Sequence, residues 1–93
     1  MTQLVTRRLQ VYGKVQGVFF RASTKKKAHE LGIEGWVKNE PDSSVLIVAT
    51  GIVNAMDAFE SWCREGPIMA SVTHLDSSRE DLKRFEGFSI RAT

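Results

Sequence analysis

The chain has 93 residues, 42% of them apolar and 26% charged, and a formal net charge of +2. That length suits one domain and is too short for two well-packed ones, so residues 1–93 are read as a single domain. The mild basic excess suits a protein that meets anions; it falls short of the dense Lys/Arg surplus of a nucleic-acid binder, and no run reaches the roughly 18–20 apolar residues of a membrane span.

Val5 to Tyr12 reads as a first strand, with Val5, Leu9 and Val11 on one parity and Thr6, Arg8, Gln10 and Tyr12 on the other. Arg7 interrupts the apolar side and is expected near the strand's start. Gly13 to Arg21 holds too many glycines for a helix interior. From Ala22 the period becomes helical, through Thr24, Ala28 and Leu31, and Gly32 stands where a left-handed C-terminal cap is expected. Glu34–Asn39 and Val45–Thr50 are β-like runs joined by Glu40-Pro41-Asp42-Ser43-Ser44, which has turn chemistry. A second helix carries Ala55, Phe59 and Trp62 on one side, with Met56 and Cys63 flanking it. Asn54 and Asp57 are placed to favour its N-terminus, and Gly66-Pro67 ends it. Ser71–Leu75 and Phe88–Arg91 read as short strands, with a polar connection from Asp76 to Glu86.

The order predicts an α+β fold, the ferredoxin-like β-α-β-β-α-β sandwich: an antiparallel sheet with two helices on one face and the other face partly open to solvent. Many unrelated functions use that architecture, so function must come from a site.

The segment Gly13-Lys14-Val15-Gln16-Gly17-Val18-Phe19-Phe20-Arg21 leads from the first strand into the first helix. A loop there can turn successive backbone N–H groups inward, and the helix dipole adds partial positive charge, which together bind a tetrahedral oxyanion. Gly13 and Gly17 permit backbone angles that a β-carbon opposes. Arg21 can reach the same anion with a forked pair of hydrogen bonds. Spacing alone leaves a second reading open, in which the glycines are plain turn residues and Arg21 is a surface charge.

Gly13-x-Val15-Gln16-Gly17-Val18-x-Phe20-Arg21 resembles the phosphate-binding signature of the acylphosphatase family. The family's second signature stands as Gly35-Trp36-Val37-Lys38-Asn39, with later echoes at Gly51, Gly66-Pro67 and Phe88-Ser89-Ile90-Arg91. The resemblance covers nearly the whole chain. It implies a hydrolase that cleaves acyl phosphates to a carboxylate and inorganic phosphate, without a metal or other cofactor. Backbone amides of Val15, Gln16, Gly17, Val18, Phe19 and Phe20 would cradle the phosphoryl oxygens. Arg21 would bind them by side chain, Asn39 would hold the attacking water, and Thr24 would stand behind the loop or simply pack in the helix. The partners expected are a small-molecule acyl phosphate, drawn from a broad range, and inorganic phosphate as product and inhibitor. No nucleic acid or membrane is expected, and the protein is expected to be a monomer. Met1 to Gln10 carries no apolar secretory core and Cys63 has no disulfide partner, so the expected location is cytoplasmic.

Other side chains have bland readings. His29 and His74 lack a metal-ligand pattern, Cys63 is read as a packed side chain, and Trp36 as a packing residue ahead of a fringe for the acyl group. Two departures from the family pattern stand out: Asp42-Ser43-Ser44 where an Asp-Gly turn is usual, and Leu46 at an acidic position, on a face expected to be exposed and so a candidate partner surface. Two rival functions share these features. One is a phosphate-sensing domain without turnover. The other is an RNA-binding module, against which stands a third strand, Val45-Leu46-Ile47-Val48-Ala49, with no aromatic on which to stack a base.

Overall fold

Alternating side chains make the first strand, β1, Leu4–Lys14, longer than its sequence pattern suggested because it continues through a bulge at Tyr12/Gly13. The chain is described here by a computed structural model covering residues 3–92; Met1, Thr2 and Thr93 of the expected single domain lie outside the described residues. Helix α1 is Phe20–Leu31, followed by β2, Glu34–Asn39, β3, Val45–Ile52, α2, Val53–Glu65, β4, Ser71–Glu80, and β5, Phe88–Ile90. The five strands form one sheet in the order β4-β1-β3-β2-β5. Three pairings are antiparallel, as expected, and β5 adds a parallel pairing to β2, so the sheet is mixed. This is the ferredoxin-like α+β fold.

Register explains the core. Leu9 lies opposite Ile47, which lies opposite Val37; Val11 lies opposite both Val45 and Leu75. All six are buried, and with Ala28 of α1 and Met56, Phe59 and Cys63 of α2 they form one apolar cluster. Arg7 shares their parity. It reaches the edge of α2, where its guanidinium pairs with Asp57 at 2.8 Å and Glu60 at 3.4 Å, so its charge is met rather than stranded.

The opposite face is less open than its polar residues suggested. Thr6 and Thr50 are buried there, and the 81–87 connection is pinned across them by a closed ring of donors. The Lys83 N–H donates to Thr6 Oγ1 at 2.9 Å, the two threonine hydroxyls bond at 2.5 Å, and Thr50 Oγ1 donates to the Lys83 carbonyl at 2.6 Å. Leu46 is 3% exposed, which removes the partner surface expected at that residue.

Both helix starts differ from expectation. α1 begins at Phe20, not Ala22, because the Ser23 N–H closes the first turn on the Phe19 carbonyl at 3.0 Å. α2 has no side-chain cap; the Gln3 carbonyl accepts from the Val53 N–H at 3.1 Å, and Asn54 is not the cap residue. Gly32 caps α1 in the left-handed conformation, as its position predicted.

Candidate active site

Four elements converge on one cleft of about 370 Å³, lined by Val15, Gly17, Phe19, Phe20, Arg21, Ala22, Asn39 and Ile90. Its floor is the turn from β1 into α1. Gly17 (φ 74°) and Phe19 (φ 64°) have positive φ and Val18 between them does not. Alternation of that kind turns successive amides to one side and makes an anion-receptive concavity. A β-carbon built on Gly17 meets nothing within 4 Å, so the loop is open to a ligand there. Gly13 serves differently: a β-carbon there would collide with the Ser71 carbonyl of β4, so glycine lets β4 run close enough to fix the loop's first end. Val15 and Val18 anchor the loop in the core.

The helix start is electrostatically unfinished. No side chain caps α1 and no acidic residue stands in its first turn. Arg21 is the second residue of the helix, at the positive end of its dipole, where a cation is disfavoured. Among the described residues Arg21 makes no ion pair. An anion in the cleft would answer the free first-turn amides and the guanidinium at once.

Asn39 arrives from β2. It shares the parity of Val37, so its side chain is on the helix-facing side of the sheet, at the strand's last position and opposite Val45. Its Oδ1 is buried and has no hydrogen-bond partner among the described residues. Buried acceptors are nearly always paired, so this oxygen is one that a water or a ligand in the cleft can satisfy.

The cleft thus brings together Val15, Gly17, Phe19, Phe20, Arg21 and Asn39 of the residues the sequence singled out. Gln16 does not line it. Its Nε2 donates to the Glu40 carbonyl at 2.9 Å and the Ser44 carbonyl at 3.0 Å, which ties the loop to the β2–β3 turn. Thr24 is fully buried behind the loop and donates through Oγ1 to the Phe20 carbonyl at 2.7 Å. Trp36 lies on the other face of β2, with the Arg91 guanidinium 4.3 Å from its ring centre, and takes no part in the cleft. Cys63 is buried in the core, and burial, then the charge of Glu60, pushes its thiol well above the ordinary range, so it is a packed side chain. His74 stacks on Tyr12 and pairs with Asp76 at 2.6 Å, away from the cleft.

Sequence reasoning missed Ile90, Ala22 and the side chain of Phe19, which it had named only for its backbone amide. Ile90 comes from β5, whose register sets it beside Val37, two residues before Asn39 on the same strand. Its one signal was the closing Phe88-Ser89-Ile90-Arg91 motif, which carries no hint of which face Ile90 joins.

Fold and cleft together define a ferredoxin-like α+β domain with an uncapped helix start, Arg21 and Asn39 around one cleft. The acylphosphatase family model matches residues 7–90. The acylphosphatase of Methylococcus capsulatus is 54% identical over 66 residues, which is 71% of this chain and 72% of that protein. That of Nitrosococcus oceani is 42% identical over 84 residues, 90% of this chain and 94% of its own. The structure of an acylphosphatase from Coxiella burnetii superposes with a TM-score of 0.91 at 38% identity, covering 95% of this chain and 93% of that one. The chain belongs to the acylphosphatase family. It is accordingly a hydrolase of acid anhydrides, and its substrates are acyl phosphates.

Proposed function

We propose that the chain hydrolyses acyl phosphates by holding the phosphoryl group on the Val15–Phe20 amides and Arg21 while Asn39 aligns the attacking water. The observation that carries this reading is that Asn39 of β2 lines the same cleft as Arg21 and the amide loop that runs into it, two stretches of chain brought together by the fold. Attack by the water oxygen on phosphorus forms one P–O bond as the bond to the acyl oxygen breaks. The bonding pair leaves with the carboxylate, a weak base that needs no protein acid. One water proton passes to a phosphoryl oxygen, and the products are the carboxylate and dihydrogen phosphate. Phosphoryl transfer through a loose transition state asks chiefly for positioning and charge stabilisation, which an arginine, aligned amides and an amide side chain supply. Asn39 is no base near neutral pH, so its part is orientation. Thr24 holds the Phe20 carbonyl and so steadies the loop from behind. No metal or cofactor enters this scheme. The protein would act as a cytoplasmic monomer without a nucleic-acid partner; β3 carries no aromatic, and its apolar side chains from Val45 to Ala49 are buried, so it offers bases no stacking surface.

The test is hydrolysis of benzoyl phosphate in EDTA by the wild type, Arg21→Ala and Asn39→Ala. Rapid turnover inhibited by phosphate is expected, with kcat/KM lowered about 10³-fold without Arg21 and about 10²–10³-fold without Asn39. Activity surviving in Asn39→Ala would remove the water-positioning role. Phosphate binding without turnover in the wild type would leave a sensing domain.

A further inference from the structure

Phe19 stands in a conformation and an environment that both act against it. It is 76% exposed, although large and apolar, and its backbone is left-handed at φ 64°, ψ 22°, where a β-carbon is disfavoured. Residues held in such strain cluster at ligand sites. Across the same cleft stands Ile90, 41% exposed and supplied by β5. The cleft, about 370 Å³, is more than one phosphoryl group fills and lies within the range of about 300–1,000 Å³ that encloses whole small ligands. Arg21 is the single charged residue in its lining, and the anion loop claims it. The part of a ligand beyond the phosphoryl group therefore meets Phe19, Ala22 and Ile90 and no second charge. The other exposed large apolar residues, Ile52, Ile68, Met69 and Leu82, stand outside the cleft.

We propose that Phe19 and Ile90 grip the acyl group, giving the enzyme a preference for aromatic and other apolar acyl phosphates over small or charged ones. This rests on the acyl-phosphate reading of the cleft and refines the broad specificity expected from a site that reads phosphate alone. An aromatic acyl group can stack on the Phe19 ring and cover Ile90, while an acetyl group spans neither. A carboxylate-bearing acyl group would leave water for an apolar wall without a partner, which is unfavourable.

The test compares kcat/KM for benzoyl phosphate, acetyl phosphate and succinyl phosphate in the wild type, Phe19→Ala, Phe19→Leu and Ile90→Ser, with the inhibition constant of phosphate measured in each. The wild type is expected to favour benzoyl phosphate. The benzoyl-to-acetyl ratio should fall about tenfold in Phe19→Ala and in Ile90→Ser, the size of effect one lost apolar contact gives, and recover partly in Phe19→Leu. An unchanged ratio, with both substrates slowed together and phosphate inhibition weakened in step, would overturn the proposal and make Phe19 a shaper of the loop. A wild type that favours succinyl phosphate would also overturn it. Failure of the wild type to hydrolyse any of the three would instead remove the functional reading on which the grip depends.

Discussion

The Gln16 side-chain amide nitrogen donates to the Glu40 carbonyl at 2.9 Å, joining the β1–α1 loop to the residue that follows Asn39. The same nitrogen reaches the Ser44 carbonyl at 3.0 Å, at the far side of the hairpin turn. One side chain thus sets the distance between the groups proposed to hold phosphorus and the group proposed to hold water. Gln16→Ala should lower kcat by roughly ten- to a hundredfold, because a misplacement near 1 Å is enough to do so. Inhibition by phosphate should change far less, since Arg21 and the loop amides remain. The global cost should be about 1–2 kcal/mol in a urea melt, from two hydrogen bonds to part-buried carbonyls. Equal loss of kcat and of phosphate binding would mean that Gln16 only supports the loop.

Arg21 is a charge kept against the local electrostatics of α1. Arg21→Ala should leave the unliganded fold unharmed or raise its stability by about 0.3–1 kcal/mol, as removal of a cation from a helix N-terminus does. The wild type should gain about 2.7 kcal/mol at a phosphate concentration a hundredfold above Kd, a Tm rise of roughly 10–20 °C for a domain of this size. Thermal melts with and without phosphate check both statements. A variant that lost stability without ligand, or still gained it with phosphate, would contradict the role of Arg21 as the anion's side-chain partner.

Much of this was legible because short-range rules and long-range packing agree. β2 and the start of β3 are β-like runs bounded by turn residues, and both appear where the pattern put them. Two signatures marked Arg21 and Asn39 separately, one ending at each, and the fold brings the two residues to one cleft. What the sequence withheld depends on contacts between distant residues. Ser71–Leu75 looked like the whole of β4, yet pairing with β1 carries the strand on to Glu80 through residues with little strand preference of their own. Asn54 looked like a cap, but the Gln3 carbonyl already meets that helix end. Leu46 looked exposed because it stands where the family pattern has an acidic residue, and a local pattern cannot tell an open sheet face from a covered one. Ile90 was invisible as a site residue because its place follows from the parallel β2–β5 register, which no local pattern encodes.

The β2–β3 turn carries its own strain. Ser43 has φ 77°, a region that favours glycine, and the turn is held instead by Asp42, whose Oδ1 accepts from the Ser44 N–H at 3.0 Å and the Ser44 hydroxyl at 2.5 Å. Ser43→Gly should raise stability by about 0.5–1 kcal/mol, the strain relieved less the entropy glycine adds to the unfolded chain. The turn keeps its Gln16 contact, so kcat should stay within twofold of the wild type. A urea midpoint unchanged or lowered, with the m-value constant, would show that the Ser43 conformation costs nothing.

Acid sensitivity follows from Glu34 at the start of β2. Its Oε2 accepts from Arg84 Nε at 2.9 Å and from the Phe85 N–H at 2.7 Å, which fastens the 81–87 connection leading to β5. The Arg84 hydrogen bond, then the Phe85 amide, holds its carboxyl below the ordinary value of 4.5. The unfolded chain therefore binds a proton before the folded one does. Stability from Glu34 is present above about pH 4.5 and is lost as pH falls through the lower folded-state value. Asp42, held below its ordinary 3.8 first by the Ser44 hydroxyl and then by the Ser44 amide, acts in the same sense at lower pH. Glu34→Gln should be less stable than the wild type at pH 7, and the gap between their urea midpoints should close as the pH falls from 5 towards 3. A residual acid slope should remain in the variant, because Asp42 is untouched. A gap constant across that range would mean that the Glu34 charge contributes nothing and that only its shape holds the connection.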